Sequence, residues 1–380
     1  MADALFDLPP EYVALRDSAR AVAAEVAPLA DRVATVDSFV PEIRAALAGS
    51  GLVSVVVPAS FGGRFEKVDS LAVTVVREAL AGATAHADSM FAMQGIGSFA
   101  ISRAASPTLQ ERWLPAVGRL DAVPALGLTE PDIGSDLKAL STVVETDGEN
   151  LVVTGTKSFI TNAGEADFYC VLGRESDGYS LVLVEADRAG VGISHPYGVI
   201  DHHVLGDVTF DGVKVPSANR IGAPGEGFAH VLATLATFRA SVAGASIGLA
   251  EAALREAMAH AAGREMFGTT LSRIGGVPEA LAMCWTEIEM ARSLAYRAAA
   301  AAARDPEANL HLSSMAKVGA TEVAGRVVDR AVQVMGRFGL VRGSTIERLY
   351  REARPMRIYE GSTEVILDSL ARQLMKRGLR

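Results

Sequence analysis

Cysteine is scarce in this 380-residue chain, which has only Cys170 and Cys284, both in apolar surroundings. Two such residues supply no disulfide framework; they fit a reducing compartment, and both are expected to be buried thiols of a cytoplasmic protein. Basic charge is also short, with 36 Lys and Arg against 45 Asp and Glu, a net charge of -9. Basic residues collect between Arg337 and Arg357, but acidic ones interrupt them, so nucleic acid is not an expected partner. No uncharged run reaches about 18 apolar residues, and the opening M-A-D-A-L-F-D-L-P-P lacks the charged start and apolar core of a signal peptide. Neither a membrane span nor a leader is expected. Repeats and low-complexity linkers are absent too. What remains is 49% apolar and 21% charged residues, an ordinary globular composition long enough for roughly two or three domains.

Periodicity changes twice along the chain. Apolar residues recur at three- and four-residue spacing through E-Y-V-A-L-R-D-S-A-R-A-V and V-D-S-L-A-V-T-V-V-R-E-A-L, predicting helices, with G-L-V-S-V-V-V-P-A-S-F-G-G as an irregular connection. From about residue 123 short β runs follow, including N-L-V-V-T-G, F-Y-C-V-L-G-R and Y-S-L-V-L-V-E-A-D. In D-V-T-F-D-G-V-K-V-P, Val208 and Phe210 alternate with polar residues, Asp211-Gly212 is a turn signal, and Val213 and Val215 resume the alternation, predicting a hairpin. After G-A-P-G-E-G helix returns, with one stripe at Leu281, Cys284, Ile288, Ala291 and Ala295 and another at Val323, Val327, Ala331 and Met335. The expected fold is α+β: an N-terminal all-α domain (1–122), a central antiparallel, barrel-like β domain (123–226) and a C-terminal four-helix bundle (227–380).

Three patterns point to chemistry by letter only. G-A-S-I-G at 244–248 matches G-x-S-x-G, yet it lies in an alanine-rich helix instead of a strand-turn-helix, so Ser246 is not expected to be a nucleophile. His202-His203 would face opposite sides of a strand, and no second ligand pair follows, so no metal site is expected. The glycines at 222, 225 and 227 lack the βαβ unit a dinucleotide fingerprint needs.

Four stretches carry more when taken together: G-L-T-E-P-D-I-G-S-D (127–136), G-T-K-S-F-I-T-N-A-G (155–164), R-E-M-F-G (264–268), and R-I-Y-E-G-S-T-E (357–364) preceded by Q-V-M-G-R-F-G. Their order and the α-β-α plan resemble the acyl-CoA dehydrogenase family of flavoproteins over nearly the whole chain. The resemblance implies FAD held by the β domain and the C-terminal helices. It assigns Leu128, Thr129, Gly134 and Ser135 to the cofactor, where hydroxyls and close-approaching amides suit a flavin edge and a pyrophosphate. Phe159 would stack on the ring and Thr161 reach its reactive nitrogen from the same side of a strand. Arg264, Phe267, Gln333 and Gly336 are implied to contact the FAD of a neighbouring subunit, with Ser362 and Glu364 also on the cofactor, so a homo-oligomer, a tetramer or dimer, is expected. This chain departs from the family in Gly336-Arg337, where two glycines are usual, and in Ile274-Gly275-Gly276, where Phe-Gln is usual.

The tetrad Y-E-G-S can be read locally as a helix start, with Ser362 or Thr363 capping the run from Glu364. The resemblance adds a second role: Glu360 as the base that takes the α-proton of an acyl thioester, with Tyr359 and Gly361 on the substrate and Arg239 either on the substrate, bracing Glu360 or in an ordinary ion pair. A weak carbon acid needs a base aimed at carbon and donors aimed at the thioester oxygen, and the Glu360 amide is an expected donor. Burial should raise the carboxylate's pKa toward such an acid. Some family members carry the base on the long helix instead, before an arginine; here Phe238 precedes Arg239 and cannot accept a proton. The expected activity is α,β-dehydrogenation of an acyl-CoA or acyl carrier protein thioester in fatty acid metabolism, with electrons passed to an electron-transferring flavoprotein. A flavin oxidase or monooxygenase on the same scaffold is the alternative, and a non-catalytic acyl-carrier module a third. The stretch S-M-F-A-M-Q-G-I-G (89–97) is a candidate acyl-pocket lining or plain helix packing.

Overall fold

The structure, a computed structural model, describes residues 8–33, 38–176, 178–201 and 203–378. Among the described residues six helices come first: α1 (Pro10–Val26), α2 (Ala30–Val33), α3 (Pro41–Ser50), α4 (Ser70–Ala81), α5 (Ala85–Ala104) and α6 (Pro107–Gly118). Proline at the first turn starts α1, α3 and α6, where its fixed φ suits the helix and its missing N–H loses nothing. The G-L-V-S-V-V-V-P-A-S-F-G-G segment forms 3-10 turns at Leu52–Val56 and Ala59–Phe61.

The strands that follow among the described residues are β1 (Pro124–Gly127), β2 (Val143–Asp147), β3 (Asn150–Thr161), β4 (Phe168–Glu175), β5 (Gly178–Glu185), β6 (Val191–Ser194), β7 (Leu205–Pro216) and β8 (Arg220–Ile221). Then come α7 (Gly227–Gly263), a two-stranded pair β9 (Glu265–Met266) and β10 (Thr269–Thr270), α8 (Val277–Arg304), α9 (Leu310–Met335), α10 (Thr345–Met356) and α11 (Thr363–Arg377). The result is a mixed α+β fold with helical N- and C-terminal parts and a central sheet.

By its contacts the chain falls into two compact units. One takes the described residues of Met1–Asp31, Ser70–Asp88 and Ala236–Arg380; the other takes Arg32–Asp69 and Ser89–Leu235. In the first, Cys284, Ile288, Ala291, Ala295, Val323 and Val327 are buried in one cluster with Leu71 and Val75, so both apolar stripes of α8 and α9 face inward. In the second, Val144, Leu151, Val153, Tyr169, Val182, Val208 and Phe210 pack between strands.

The sheet runs β6-β7-β3-β2-β4-β5-β8, and β1 pairs with β4. It is not purely antiparallel, as expected from the sequence, because β1–β4 and β2–β4 are parallel. The predicted hairpin at Asp211-Gly212 is also absent. β7 runs straight through, and the ladder jumps from Val153↔Val213 to Gly155↔Phe210, so Asp211 and Gly212 together oppose Thr154. Gly212 has φ 59°, a β-bulge whose glycine supplies the same left-handed backbone that a tight turn would use. A second bulge sets Ser158 and Phe159 against Asp207, between Lys157↔Val208 and Ile160↔Gly206.

Candidate active site

In the second unit, the loop after β1 is tied to β3 from inside. Glu130, 3% exposed, accepts from Ser141 N and Oγ at 2.6 Å each, Thr142 N at 2.9 Å and Lys157 Nζ at 2.9 Å. Lys157 also donates to Leu128 O (3.1 Å) and Ser158 N to Thr129 O (2.9 Å). Burial pushes the Glu130 carboxyl up, but these donors outweigh it and bring it down to about 2. Burial lowers the ammonium of Lys157 against the pull of Glu130. With four donors on its carboxylate, Glu130 is charged at neutral pH.

A carboxylate depressed from 4.5 to about 2 stabilises the fold above pH 4.5 and loses that contribution as pH falls toward 2. Glu130→Gln should therefore cost about 2 kcal/mol at pH 7 and make the acid-side fall shallower, as read by urea unfolding across pH. An unchanged acid profile would remove Glu130 from this role.

The bulge at Ser158-Phe159 is fixed by Asp207, whose Oδ1 accepts from Ser158 Oγ (2.7 Å) and Phe159 N (3.3 Å). Phe159 sits at φ 55° and is 49% exposed, its ring stacked on Tyr197 at 4.3 Å and 12°. A bulky residue holds left-handed backbone only where its surroundings impose it. Thr161 lies half-buried two residues on, its Oγ1 3.2 Å from His203 Nε2, which is also 3.4 Å from Ser89 Oγ. Thus Leu128, Thr129, Phe159 and Thr161 come together on one loop and one strand end, whereas Gly134 and Ser135 are exposed further along the loop. His203 is not on a strand, and its contact with Thr161 was not legible in sequence; His202 lies outside the described residues. With the Leu128 and Thr129 carbonyls satisfied internally, hydroxyls and an exposed ring are what the loop and strand end offer. That donor set fits a flavin.

At Gly97 the helix-packing reading has a direct cause: a Cβ there would meet Pro124 Cβ at 2.7 Å, so α5 needs a glycine to pack on β1. Met90, Phe91 and Met93 are buried in the same helix.

In the first unit, α10 ends near Pro355 and the chain turns into α11 through Glu360 and Gly361. Ser362 Oγ accepts from Val365 N (3.4 Å), so the capping role is present. Glu360 is left-handed (φ 53°) and Gly361 more so (φ 102°). A Cβ on Gly361 would come 3.1 Å from Arg239 Nη2 and from Ile366 Cγ1. The residue Glu360 is half-buried, but its Oε2 is out of solvent and has no hydrogen-bond partner. Among the described residues its amide also has no acceptor in the protein.

Four charged groups surround that carboxylate. Arg77 on α4 clasps Asp88 on α5 with two 2.8 Å bonds and donates to Ser241 Oγ at 3.0 Å. Arg239 on α7 donates from Nε to Glu360 O (3.0 Å) and from Nη1 to Ser314 Oγ (3.2 Å). Lys317 on α9 donates from Nζ to Gly361 O at 2.6 Å. Burial raises the Glu360 pKa, Arg77, Arg239 and Lys317 pull it back, and Asp88 pushes it up; the net shift is upward. The result is a desolvated, unpaired carboxylate oxygen on a braced turn, the arrangement a base for a weak acid needs.

The Arg77–Asp88 pair and Lys317 were not legible in sequence, because each meets Glu360 only through folding. Tyr359 is 38% exposed and Glu364 is exposed. Gln333 and Gly336 lie at the end of α9, where Phe338 receives the guanidinium of Arg264 at 5.8 Å and that of Arg337 at 5.1 Å. Phe267, beyond β9, is 88% exposed. Ser246 is buried and donates to Val242 O (2.9 Å), as a helix-packing residue does. Both cysteines are free and buried, and burial raises both thiol pKa values. No group of three or more His, Cys, Asp or Glu able to hold a metal occurs among the described residues. A groove of about 1210 Å³ lined by residues such as Leu71, Met258, Trp285 and Arg292 shares no residue with the Glu360 cluster.

Comparisons with known proteins give this geometry a family. The models of the acyl-CoA dehydrogenase N-terminal, middle and C-terminal domains match residues 9–121, 125–213 and 225–375. A Mycobacterium tuberculosis protein named "Probable acyl-CoA dehydrogenase FadE25" is 32% identical over 380 residues, covering 98% of this chain and 97% of its own. Cyclohexane-1-carbonyl-CoA dehydrogenase of Geobacter metallireducens is 30% identical over 383 residues, covering 98% and 99%. The structure is similar to that of glutaryl-coenzyme A dehydrogenase in complex with glutaryl-CoA, with TM-score 0.92, 29% identity, and 99% and 97% of the two chains covered. The chain belongs to the acyl-CoA dehydrogenase family, FAD-binding oxidoreductases that act on CH–CH groups.

Proposed function

We propose that this protein dehydrogenates an acyl-CoA thioester at the α,β position, with Glu360 taking the α-proton. The observation that carries this reading is the Glu360 carboxylate, buried and unpaired at Oε2 on a turn whose backbone is held by Arg239 and Lys317. Bound FAD supplies the acceptor for the hydride that leaves the β-carbon. As the α C–H bond breaks, its proton goes to the Glu360 carboxylate and its electron pair forms the new double bond, leaving an enoyl thioester. Negative charge that develops on the thioester oxygen is met by the Glu360 amide, which has no acceptor within the protein among the described residues. The upward shift of the Glu360 pKa brings base and carbon acid closer, which lowers the cost of proton transfer.

Leu128, Thr129, Gly134, Ser135, Phe159 and Thr161 hold the flavin in this reading, with Thr161 oriented by His203. Arg264, Phe267, Gln333 and Gly336 serve the FAD of a second copy in a homo-oligomer, a role that suits so exposed a Phe267. The barrel-like sheet and four-helix bundle of the family complete the picture. Coenzyme A is favoured over an acyl carrier protein because the named relatives act on CoA thioesters.

Anaerobic mixing of the FAD-loaded protein with acyl thioesters on both carriers tests the reading, with bleaching of the flavin as the signal. Coenzyme A esters should bleach it. Failure of every ester would overturn the proposal. Once reduced, the protein should reoxidise slowly in air and quickly with an electron-transferring flavoprotein; fast reoxidation in air would favour an oxidase.

A further inference from the structure

The turn that carries Glu360 is held in an unusual way. Two successive carbonyl oxygens, those of Glu360 and Gly361, each accept from a cation on a different helix, Arg239 on α7 at 3.0 Å and Lys317 on α9 at 2.6 Å. Glu360 is a non-glycine residue at φ 53°, a conformation that costs about 1 kcal/mol or more and persists only when surrounding bonds impose it. Lys317 is fully buried. A neutral donor could hold the same carbonyl without the large cost of burying an ammonium, so the charge itself needs a use. The Glu360 carboxylate answers that need, being next to Lys317 and having an unpaired buried oxygen.

We propose that Lys317 is a positioning residue for the base, its ammonium gripping the Gly361 carbonyl so that the Glu360 carboxylate and amide are presented together. This rests on the reading of Glu360 as the base. The charged groups facing Lys317 are Glu360 on the turn, Arg239 on α7, Glu322 on α9 itself and Glu364 on α11. Those facing Glu360 are Arg77 on α4, Asp88 on α5, Arg239 and Lys317. Burial, the largest cause, and Arg239 push the Lys317 ammonium down, the three carboxylates pull it up, and it comes to rest at about 8. Below that pH the grip is charged. As pH rises through about 8 the proton is lost, the bond to Gly361 weakens and a positive neighbour of Glu360 disappears.

The test is the pH profile of flavin reduction by an acyl-CoA under anaerobic single-turnover conditions, from about pH 6 to about pH 9.5. The wild-type rate should fall on the alkaline side near pH 8. Lys317→Arg, charged throughout, should lose that alkaline fall. Lys317→Met should reduce flavin about 10- to 100-fold more slowly, as a displaced base does. Its acid limb should also move to higher pH, because a cation that lowers the Glu360 pKa is gone. A wild-type profile that stays flat through pH 8 overturns the proposal without any variant, so it does not hang on the larger arginine folding. A merely structural lysine would leave both limbs in place and lower only the melting temperature. A second readout needs no turnover. Relative to Lys317→Met, the wild-type chain should gain stability from about pH 8 to 10.5, where the unfolded lysine keeps a proton the folded one has lost. No relative gain would mean that the ammonium is not desolvated, and the proposal would fall. If Glu360→Gln reduces flavin normally, it is the base assignment that fails. If that variant is slow while the Lys317 variants keep both wild-type limbs, only the present inference does.

Discussion

Glu360→Gln is expected to slow reduction of the flavin by an acyl-CoA at least about 100-fold while FAD stays bound. The substitution keeps the side chain's volume and removes its capacity to accept a proton. It leaves the turn's own hydrogen bonds in place, because Arg239 and Lys317 donate to the backbone carbonyls of residues 360 and 361, which the substitution does not alter. The loss should therefore fall on the rate of reduction, with little change in substrate affinity. The pH dependence gives a second check. A base whose pKa is raised by burial works only above it, so the wild-type rate should rise from the acid side to a plateau, and that limb should be missing in the variant. A variant that reduces flavin at near the wild-type rate would remove Glu360 from the mechanism.

Residue 360 was legible because the tetrad Y-E-G-S lies within one stretch, and so was the capping by Ser362. Its surroundings were not. Arg77 and Lys317 are ordinary members of alanine- and valine-rich helical patterns, 283 and 43 residues from Glu360 by number, and nothing in a one-dimensional pattern says that their charges converge. The sheet failed in a different manner. Asp211-Gly212 reads as a turn because glycine at positive φ is what a turn needs, but a bulge needs the same backbone and keeps the strand running. Local chemistry identified the backbone state correctly and left its use open. The bulge at Ser158-Phe159 carries no glycine at all. It is imposed by Asp207, whose carboxylate takes both the Ser158 hydroxyl and the Phe159 amide, and such a partner 49 residues from Ser158 in the chain leaves no local mark.

Gly248→Ala should cost about 3 kcal/mol or more, and G-A-S-I-G, useless as a nucleophile motif, explains why. A Cβ at 248 would stand 1.8 Å from Glu78 O, and one at 244 would stand 2.5 Å from Thr74 O, so α7 and α4 meet backbone to backbone. Carbonyl oxygens of a helix cannot swing aside as a side chain tip can, and the added methyl must push α4 away. The neighbour of Glu78 on α4 is Arg77, which bonds Asp88 and Ser241 beside Glu360. A packing defect at 248 should thus reach Glu360 through the displaced guanidinium. Thermal unfolding of Gly248→Ala should show the loss directly. The fraction that remains folded should reduce flavin more slowly than wild type, with Gly244→Ala milder on both measures because its contact is less close. Wild-type melting in Gly248→Ala would mean that α4 is free to shift, and the link from this crossing to the Glu360 cluster would then be broken.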